Sequence, residues 1–292
     1  MQGILYDCLG LLVAILMRRN VLLLGCNAAF LIPLVRLSGL EVYTNIAGLE
    51  WSRNKWGKAA QWYLKTMEAV AARFSNTLIT DNQKLTNYLS DEYGTNSTLI
   101  PYGGDHLVNL PAPTDSQIAP YKSAIEFGKD AYLVVARCQP DNNFETIAES
   151  FKASGKPLLI VSNLDNSYGD FLKDTYRDVN NIQFQNGIYD QAVLKLLRDG
   201  CRGYIHGHSA GGTNPSLVEA MFSDRPIFCY DNGFNNFTTH NAAFYWTDAD
   251  DLENLIETFE AGTTETFPQF IEIAETLYTW RGVCEKYEQV FK

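Results

Sequence analysis

The chain has 292 residues, of which 46% are hydrophobic and 20% charged, the proportions of an ordinary globular protein long enough for two domains with cores of their own. Acidic residues outnumber basic ones 34 to 23, for a net charge of −11. That balance argues against nonspecific nucleic-acid binding, which needs a basic surface, and leaves room for a local basic pocket.

In chain order, Leu9 through Met17 is apolar and Arg18-Arg19 follows. The run is too short to span a bilayer, and charges that come after the apolar stretch do not suit a signal peptide. A core helix leading into a fully buried strand, Val21-Leu22-Leu23-Leu24, fits the pattern. An α/β domain ordinarily opens on a strand, so the chain reads as one whose initial strand–loop–helix segment is absent. A second strand is expected over 41–46. A helix follows from Trp56 through Arg73, with Trp62, Met67, Val70 and Phe74 facing inward. Residues 77–80 form a third strand, Asp81 caps a helix that runs to Tyr93, and 97–100 form a fourth strand. Residues 106–125, with Pro111, Pro113 and Pro120, read as a loop and the domain linker.

A second alternation follows, with strands at 131–136, 157–161, 182–184, 203–205, 226–229 and 243–245. Helices are expected near 143–154, 167–177, 189–199, 215–223 and 250–260. Such alternation implies a parallel sheet covered on both faces. From Phe267 to Phe291 the spacing is that of a long amphipathic helical segment broken near Trp280. The six cysteines, Cys8, Cys26, Cys138, Cys201, Cys229 and Cys284, are scattered without a CxxC pair, so reduced thiols are expected, with neither a metal site nor a disulfide framework.

The most informative stretch is Tyr204 to Met221, which reads as a buried strand, a glycine turn and a helix start. Asn214 is placed to cap that helix, and Pro215 to be its first residue, where a missing N–H costs nothing. Gly211 and Gly212 leave backbone N–H groups bare beside the positive end of the helix dipole, a setting suited to an anion. Glu219, about one turn in, leans back toward that end and would accept hydrogen bonds from sugar hydroxyls. Phosphate on the turn and ribose on the carboxylate together describe a nucleotide-sugar site. The plainer alternative is a common strand–helix turn with a solvated Glu219.

In open α/β sheets, ligands sit at the carboxyl ends of the strands, and two such domains would face each other across a cleft. Arg137, after the strand at 131–136, is a planar and permanently charged fork suited to a diphosphate, or else to a surface ion pair. Gly187-Ile188-Tyr189-Asp190 occupies the equivalent place after the strand at 182–184.

With those residues in place, the chain resembles retaining GT-B glycosyltransferases of the GT4 family, and more narrowly the bacterial rhamnosyltransferase-like group acting on capsule and cell-wall polysaccharides. The resemblance rests first on Asn45-Ile46-Ala47-Gly48-Leu49-Glu50-Trp51-Ser52-Arg53-Asn54-Lys55-Trp56, then on Thr80-Asp81-Asn82-Gln83 and Pro101-Tyr102-Gly103-Gly104-Asp105. It continues in Ala136-Arg137 with Pro140-Asp141-Asn142-Asn143, in the 211–220 motif, and in Tyr278-Thr279-Trp280 near the end. It implies an acceptor-side domain over 1–110, incomplete at its start and joined by the closing helix 274–292, and a donor-binding domain over 118–273.

The same resemblance implies the roles. Arg137 and the N–H groups of Gly211, Gly212, Thr213 and Asn214 would stabilise charge growing on the departing diphosphate, with Asn142 and Asn143 in the diphosphate loop. Glu219 would hold the ribose, Ile188 and Tyr189 lie where the base is contacted, and His208 would bond a phosphate or the donor sugar, or serve structurally. Glu50 is the candidate catalytic carboxylate of the first domain, with pairing to Arg53 or Lys55 as its alternative. Retaining transfer of this kind uses no protein nucleophile and no metal, and the chain shows no DxD-like pair in a suitable context. The implied partners are a nucleotide-sugar donor and a lipid-linked saccharide acceptor at the cytoplasmic face of the membrane. The apolar N-terminal stretch would serve either for peripheral lipid contact or as a buried helix. The group implies a dTDP-rhamnose type of donor, although these residues do not separate thymidine from uridine or guanosine diphosphate. Departures from the family pattern are the absent initial segment, Ala47 where the pattern has Asp, Asn142 and Asn143 in place of a diphosphate Lys, and Gly211 eight residues before Glu219. The absent segment and Ala47 motivate one alternative, an inactive homologue that binds nucleotide or serves as a partner subunit; a second alternative is another GT-B enzyme acting on nucleotide sugars, such as an epimerase.

Overall fold

The computed structural model describes residues 2–53, 56–262 and 267–292. By spatial grouping the chain forms two units. The first comprises Met1–Pro101, Ala210–Thr213 and Val283–Lys292, and the second Tyr102–Ser209 and Asn214–Gly282.

The first unit opens with α1 (Gln2–Met17) and β1 (Val21–Leu24), followed by α2 (Ile32–Leu37), β2 (Val42–Ile46), α3 (Lys58–Phe74), β3 (Thr77–Thr80), α4 (Gln83–Tyr93) and β4 (Ser97–Leu99). Its four strands are parallel in the order β1-β2-β3-β4. The central strand β2 is buried along its whole length. Edge strand β1 differs from the expectation of full burial: Leu23 is buried, but Leu22 and Leu24 are exposed. An edge strand is covered only where a helix crosses it, and an apolar run does not reveal which of its sides is bare.

On α3, the inward stripe runs through Tyr63, Met67, Val70, Ala71 and Phe74, which join the core with β1, β2 and α2. Trp62, expected to face inward, is exposed, because it lies one residue off that 3–4 spacing. The cap of α4 is Asn82 rather than Asp81: the Asn82 side chain accepts from the Lys84 N–H, and Gly94 closes the helix in the left-handed conformation. The Asp81 carboxylate is directed elsewhere, as described below.

The second unit contains α5 (Asp115–Ile118), α6 (Lys122–Gly128), β5 (Tyr132–Val135), α7 (Phe144–Ser154), β6 (Leu158–Ser162), α8 (Ser167–Thr175), β7 (Ile182–Asn186), α9 (Gln191–Gly200) and β8 (Gly203–His206). It continues with α10 (Pro215–Ala220), β9 (Ile227–Tyr230), α11 (Phe234–Thr238), β10 (Phe244–Trp246), α12 (Ala249–Ala261), α13 (Pro268–Leu277) and the start of α14 (Trp280–Val290). The six parallel strands take the order β10-β9-β8-β5-β6-β7. Helices on both faces bury them in two apolar clusters, one around Leu133, Val161, Val193 and Met221, the other around Val134, Phe144, Ile160 and Trp246.

Residues 106–125, expected as loop, hold α5 and the start of α6. A capping box between Thr114 and Gln117 nucleates α5 despite the nearby prolines. The final helical segment breaks at Tyr278 and Thr279, as the spacing indicates. Its last part belongs to the first unit, where Val283, Tyr287 and Val290 of α14 pack with Tyr43, Ile79 and Ile100. All six thiols are free.

Candidate functional site

At the carboxyl ends of the second unit's strands, the turns after β5 and β8 are tied together. The buried Asn142 donates its amide to the Arg137 carbonyl at 2.9 Å and presents Oδ1 to His208 Nδ1 at 3.2 Å. Asn143, in the left-handed region, donates to the Gly207 carbonyl at 2.8 Å. Ser209 donates from both its backbone N–H and its hydroxyl to the Asp141 carbonyl. A Cβ at Gly207 would collide with the Asn142 carbonyl, so glycine is what lets the two turns meet. The His208 carbonyl takes amide bonds from Asn232 and Asn235. Arg137 holds this cluster through its backbone, and its side chain is exposed. Beneath it, His206 is fully buried, and burial beside His208 pulls its pKa down to about 3, so it stays neutral. Ile188 is buried, whereas Tyr189 is 78% exposed, with its ring over Gly187.

Glu219 stands apart from that cluster, on α10. Its Oε2 accepts from Arg198 Nη2 at 2.5 Å, and its Oε1 lies 3.7 Å from His106 Nε2. Arg198 is 1% exposed, and Glu219 is its carboxylate partner; the remaining guanidinium atoms Nε and Nη1 have no partner. His106 is in turn oriented by Trp280, whose indole N–H donates to Nδ1 at 3.3 Å. The 103–106 turn reaches this place because Gly103 and Gly104 have no side chains to keep it away. A Cβ on Gly104 would meet Phe222 and Val218 at 2.7 and 3.0 Å, and one on Gly103 would meet Trp280 at 2.6 Å. The Gly104 N–H donates to the Tyr278 carbonyl, and the Trp280 N–H to Asp105, both at 2.8 Å. Arg198 and His106 escaped the sequence reading. Arg198 carried a usable signal, since it follows Leu194 by four residues on the apolar stripe of α9, where a charge demands a partner.

The glycine turn itself groups with the first unit. Gly211 has φ 105° and Gly48 φ 155°, and their backbones touch closely enough that a Cβ on Gly48 would stand 3.0 Å from Gly211 Cα. The Gly212 N–H donates to the Ala47 carbonyl at 3.3 Å. Thr213 donates its hydroxyl to the Asp81 carbonyl at 2.5 Å and receives the Asn82 amide at 3.2 Å. Gly212 packs on the Asp81 carboxylate so tightly that any Cβ would overlap it. Burial pushes the Asp81 pKa up to about 7 even though backbone N–H groups, Thr213's first among them, favour its charged form; Oδ1 has no partner. Asn214 caps α10 by accepting from the Ser216 N–H, with Pro215 as the first residue, but α10 is only 6 residues long. An anion that takes the Gly212 N–H would have to displace the Ala47 carbonyl, and one that takes the Thr213 N–H would have to displace the Asp81 carboxylate.

Glu50 is half exposed and pairs with Arg53 at 3.1 Å; Lys55 lies outside the described residues. Of the sequence candidates, Arg137, Asn142, Asn143 and His208 form one cluster and Glu219 anchors a second. Gly211, Gly212, Thr213 and Glu50 lie in the first unit.

The sequence profile of a domain of unknown function (DUF1972) matches residues 12–105. No curated protein matches the chain. Among solved structures, HepE of Anabaena in complex with UDP superposes with a TM-score of 0.76 at 14% identity, covering 98% of this chain and 81% of that one. Sucrose-phosphate synthase from Thermosynechococcus elongatus gives 0.74 at 16% identity, over 93% of this chain and 72% of that one. The pneumococcal O-GlcNAc transferase GtfA in complex with UDP and GlcNAc gives 0.66 at 11% identity, over 98% and 59%. The fold is that of GT-B glycosyltransferases, an α/β architecture with two parallel sheets.

Proposed function

We propose that this protein is a glycosyltransferase that takes a sugar from a nucleoside-diphosphate donor and passes it, with retention, to a lipid-linked saccharide acceptor. The observation that carries the reading is the fixed carboxylate of Glu219. A buried guanidinium holds Oε2 in place, which leaves Oε1 to accept hydroxyl hydrogens of a ribose. HepE, a structural relative, was solved with UDP and with UDP-glucose, which supports a nucleotide ligand for this fold.

In this reading the exposed Arg137 fork meets the diphosphate and stabilises the charge that grows as the glycosidic bond breaks. His208, Asn142 and Asn143 shape the adjoining wall, and Ile188 and Tyr189 lie toward the base. The Gly211–Asn214 backbone contributes once the donor displaces the Ala47 carbonyl from Gly212. Glu50 remains the candidate first-unit carboxylate toward the acceptor. The proposed reaction draws on no metal ion. The acceptor's lipid suggests a peripheral site of action at the inner membrane face. Leu5, Leu9, Leu12, Val13 and Leu16 are exposed along α1, with Arg18 and Arg19 beyond it, and no described helix is long and apolar enough to cross a membrane. A donor of the dTDP-rhamnose kind remains part of the proposal.

A second reading, nucleotide binding without transfer, is favoured by one observation: Ala47 offers only a methyl and a carbonyl, and the carbonyl is bonded to Gly212. Calorimetric titration with dTDP, UDP and GDP, followed by nucleotide release in the presence of a lipid-linked acceptor, tests both. Binding with turnover supports transfer, binding without turnover supports the second reading, and no binding removes both.

A further inference from the structure

The Glu219 carboxylate and the His106 imidazole face each other across a gap of 3.7 Å. That is too long for a direct hydrogen bond, but one hydroxyl oxygen seated beside the two atoms, on their solvent side, can lie about 2.8 Å from each, the two bonds meeting at roughly 80°. The hydrogen pattern of the gap is also set. The Trp280 indole N–H occupies His106 Nδ1, so the neutral ring carries its own hydrogen on Nε2, the ring nitrogen beside Glu219. On the other side, Arg198 takes Oε2, and Oε1 is left as an acceptor. One side donates and the other accepts, which is what a single hydroxyl requires, since it accepts one bond while donating another. Both side chains remain open to solvent, at 37% for His106 and 17% for Glu219.

We propose that His106 is a specificity-determining residue: with Glu219 it forms a donor–acceptor pair that reads one ribose hydroxyl of the nucleotide, and Trp280 sets its tautomer. The proposal rests on the nucleotide-binding reading above and adds that the sugar of the nucleotide is read from two sides. Removing that hydroxyl leaves a charge-assisted acceptor without its donor, so the analogue that lacks it binds more weakly by about tenfold. The geometry also explains the two glycines of the 103–106 turn, because Gly104 lying flat on Val218 and Phe222 is what carries His106 to the neighbouring Glu219.

The test is calorimetric titration of the full chain with UDP, 2′-deoxy-UDP, 3′-deoxy-UDP and inorganic pyrophosphate. Wild-type protein is expected to prefer UDP over one of the two deoxy analogues by about tenfold, and the analogue that loses affinity identifies the hydroxyl. In His106→Ala that preference collapses to less than about threefold, while pyrophosphate affinity is unchanged. His106→Gln, which restores an N–H donor, recovers part of it. Trp280→Phe keeps the ring packing but frees the tautomer, and reduces the preference without abolishing it. A merely structural His106 would weaken every ligand together, pyrophosphate included. The proposal is overturned if wild type shows no preference, or if His106→Ala keeps it in full. If wild type binds none of UDP, GDP and dTDP, the nucleotide-binding reading itself fails, a distinct result.

Discussion

The two parallel sheets carry the same liabilities, buried charge and an edge strand, and they treat one buried carboxylate and one edge differently. In the second unit the buried charge is Arg198, and it has a carboxylate on it. In the first unit the buried Glu68 likewise has partners, Lys65 and the hydroxyls of Tyr88 and Tyr93, whereas at the buried Asp81 the groups that favour the charged form are backbone N–H groups. The edges differ likewise. β7 places Gln183, Gln185 and Asn186 around Ile182 and Phe184, so its outer positions suit water. β1 is Val-Leu-Leu-Leu, with Leu22 39% and Leu24 70% exposed. At these edges the second unit offers amides to water, whereas the first keeps bare apolar surface and a carboxylate without a cationic partner, features more often kept for function than for stability.

The largest expected effect strikes the second unit's paired charge. Glu219→Ala strands Arg198 in the core and should lower stability by about 3–5 kcal/mol, well beyond a lost surface pair. Glu219→Gln retains an acceptor and should cost clearly less, so it is the variant of choice for ligand titrations. Urea unfolding of both variants checks this. Equal and small losses would mean that Arg198 reaches water when its partner goes, and the contrast between the units would weaken.

How much of this was legible follows the same division. Strand positions and the two-sheet layout came through because parallel strands are apolar on both faces and alternate with amphipathic helices, a local pattern. Asn214 and Pro215 were readable because capping is also local. Arg198 on Glu219, His106 beside it, and Asp81 under Gly212 join residues far apart in sequence, and no local period encodes such pairs. The exposure of Leu22 and Leu24 was hidden for a related reason: apolar residues say what suits burial, and neighbours decide whether burial happens.

The next effect sharpens the first unit's side. The Asp81 pKa is raised from 3.8 to about 7, so the native state holds a proton that the unfolded chain has released between those values. Stability from this group is therefore highest below about pH 4 and is lost as pH rises through 7. Asp81→Asn, which keeps the shape and removes the charge, should stabilise the protein by about 2–4 kcal/mol at pH 8 and by little at pH 4. The Tyr287 phenol is the titratable neighbour, and its pKa is raised, so it stays neutral across this range. His206 gives the opposite slope in the second unit: its folded pKa of about 3 lies below the unfolded 6.5, so its contribution is lost as pH falls through that window. Thermal unfolding of wild type and Asp81→Asn from pH 4 to 8 separates the two, and a difference between them that does not change with pH would refute the assignment.

Smaller again is Gly104→Ala, which forces a methyl against Phe222 and Val218 and should cost about 1–3 kcal/mol through overpacking. Because the turn carries His106, the same change should reduce the affinity for UDP in calorimetry. A loss of stability with unaltered UDP affinity would separate this turn from the nucleotide site.

The smallest effect on stability belongs to the bare apolar face and is the most informative about it. Leu9 is 54% and Leu16 83% exposed, so Leu9→Gln with Leu16→Gln removes little from the core and should change stability by no more than about 0.5 kcal/mol each. If α1 rests on lipid, the same pair should lower partitioning onto anionic vesicles by at least tenfold, since each leucine carries about 1.5–3 kcal/mol of transfer energy when buried. Added salt should weaken the wild-type interaction as well, because Arg18 and Arg19 contribute through exposed charge. Vesicle co-sedimentation reads both effects. Partitioning that survives the double substitution would place the lipid contact elsewhere. Loss of wild-type self-association in sedimentation velocity, with no vesicle binding at any stage, would show instead that the open side of β1 and α1 is covered by another protein chain. Either result turns on the contrast with β7, whose polar edge predicts that no comparable substitution there has any effect.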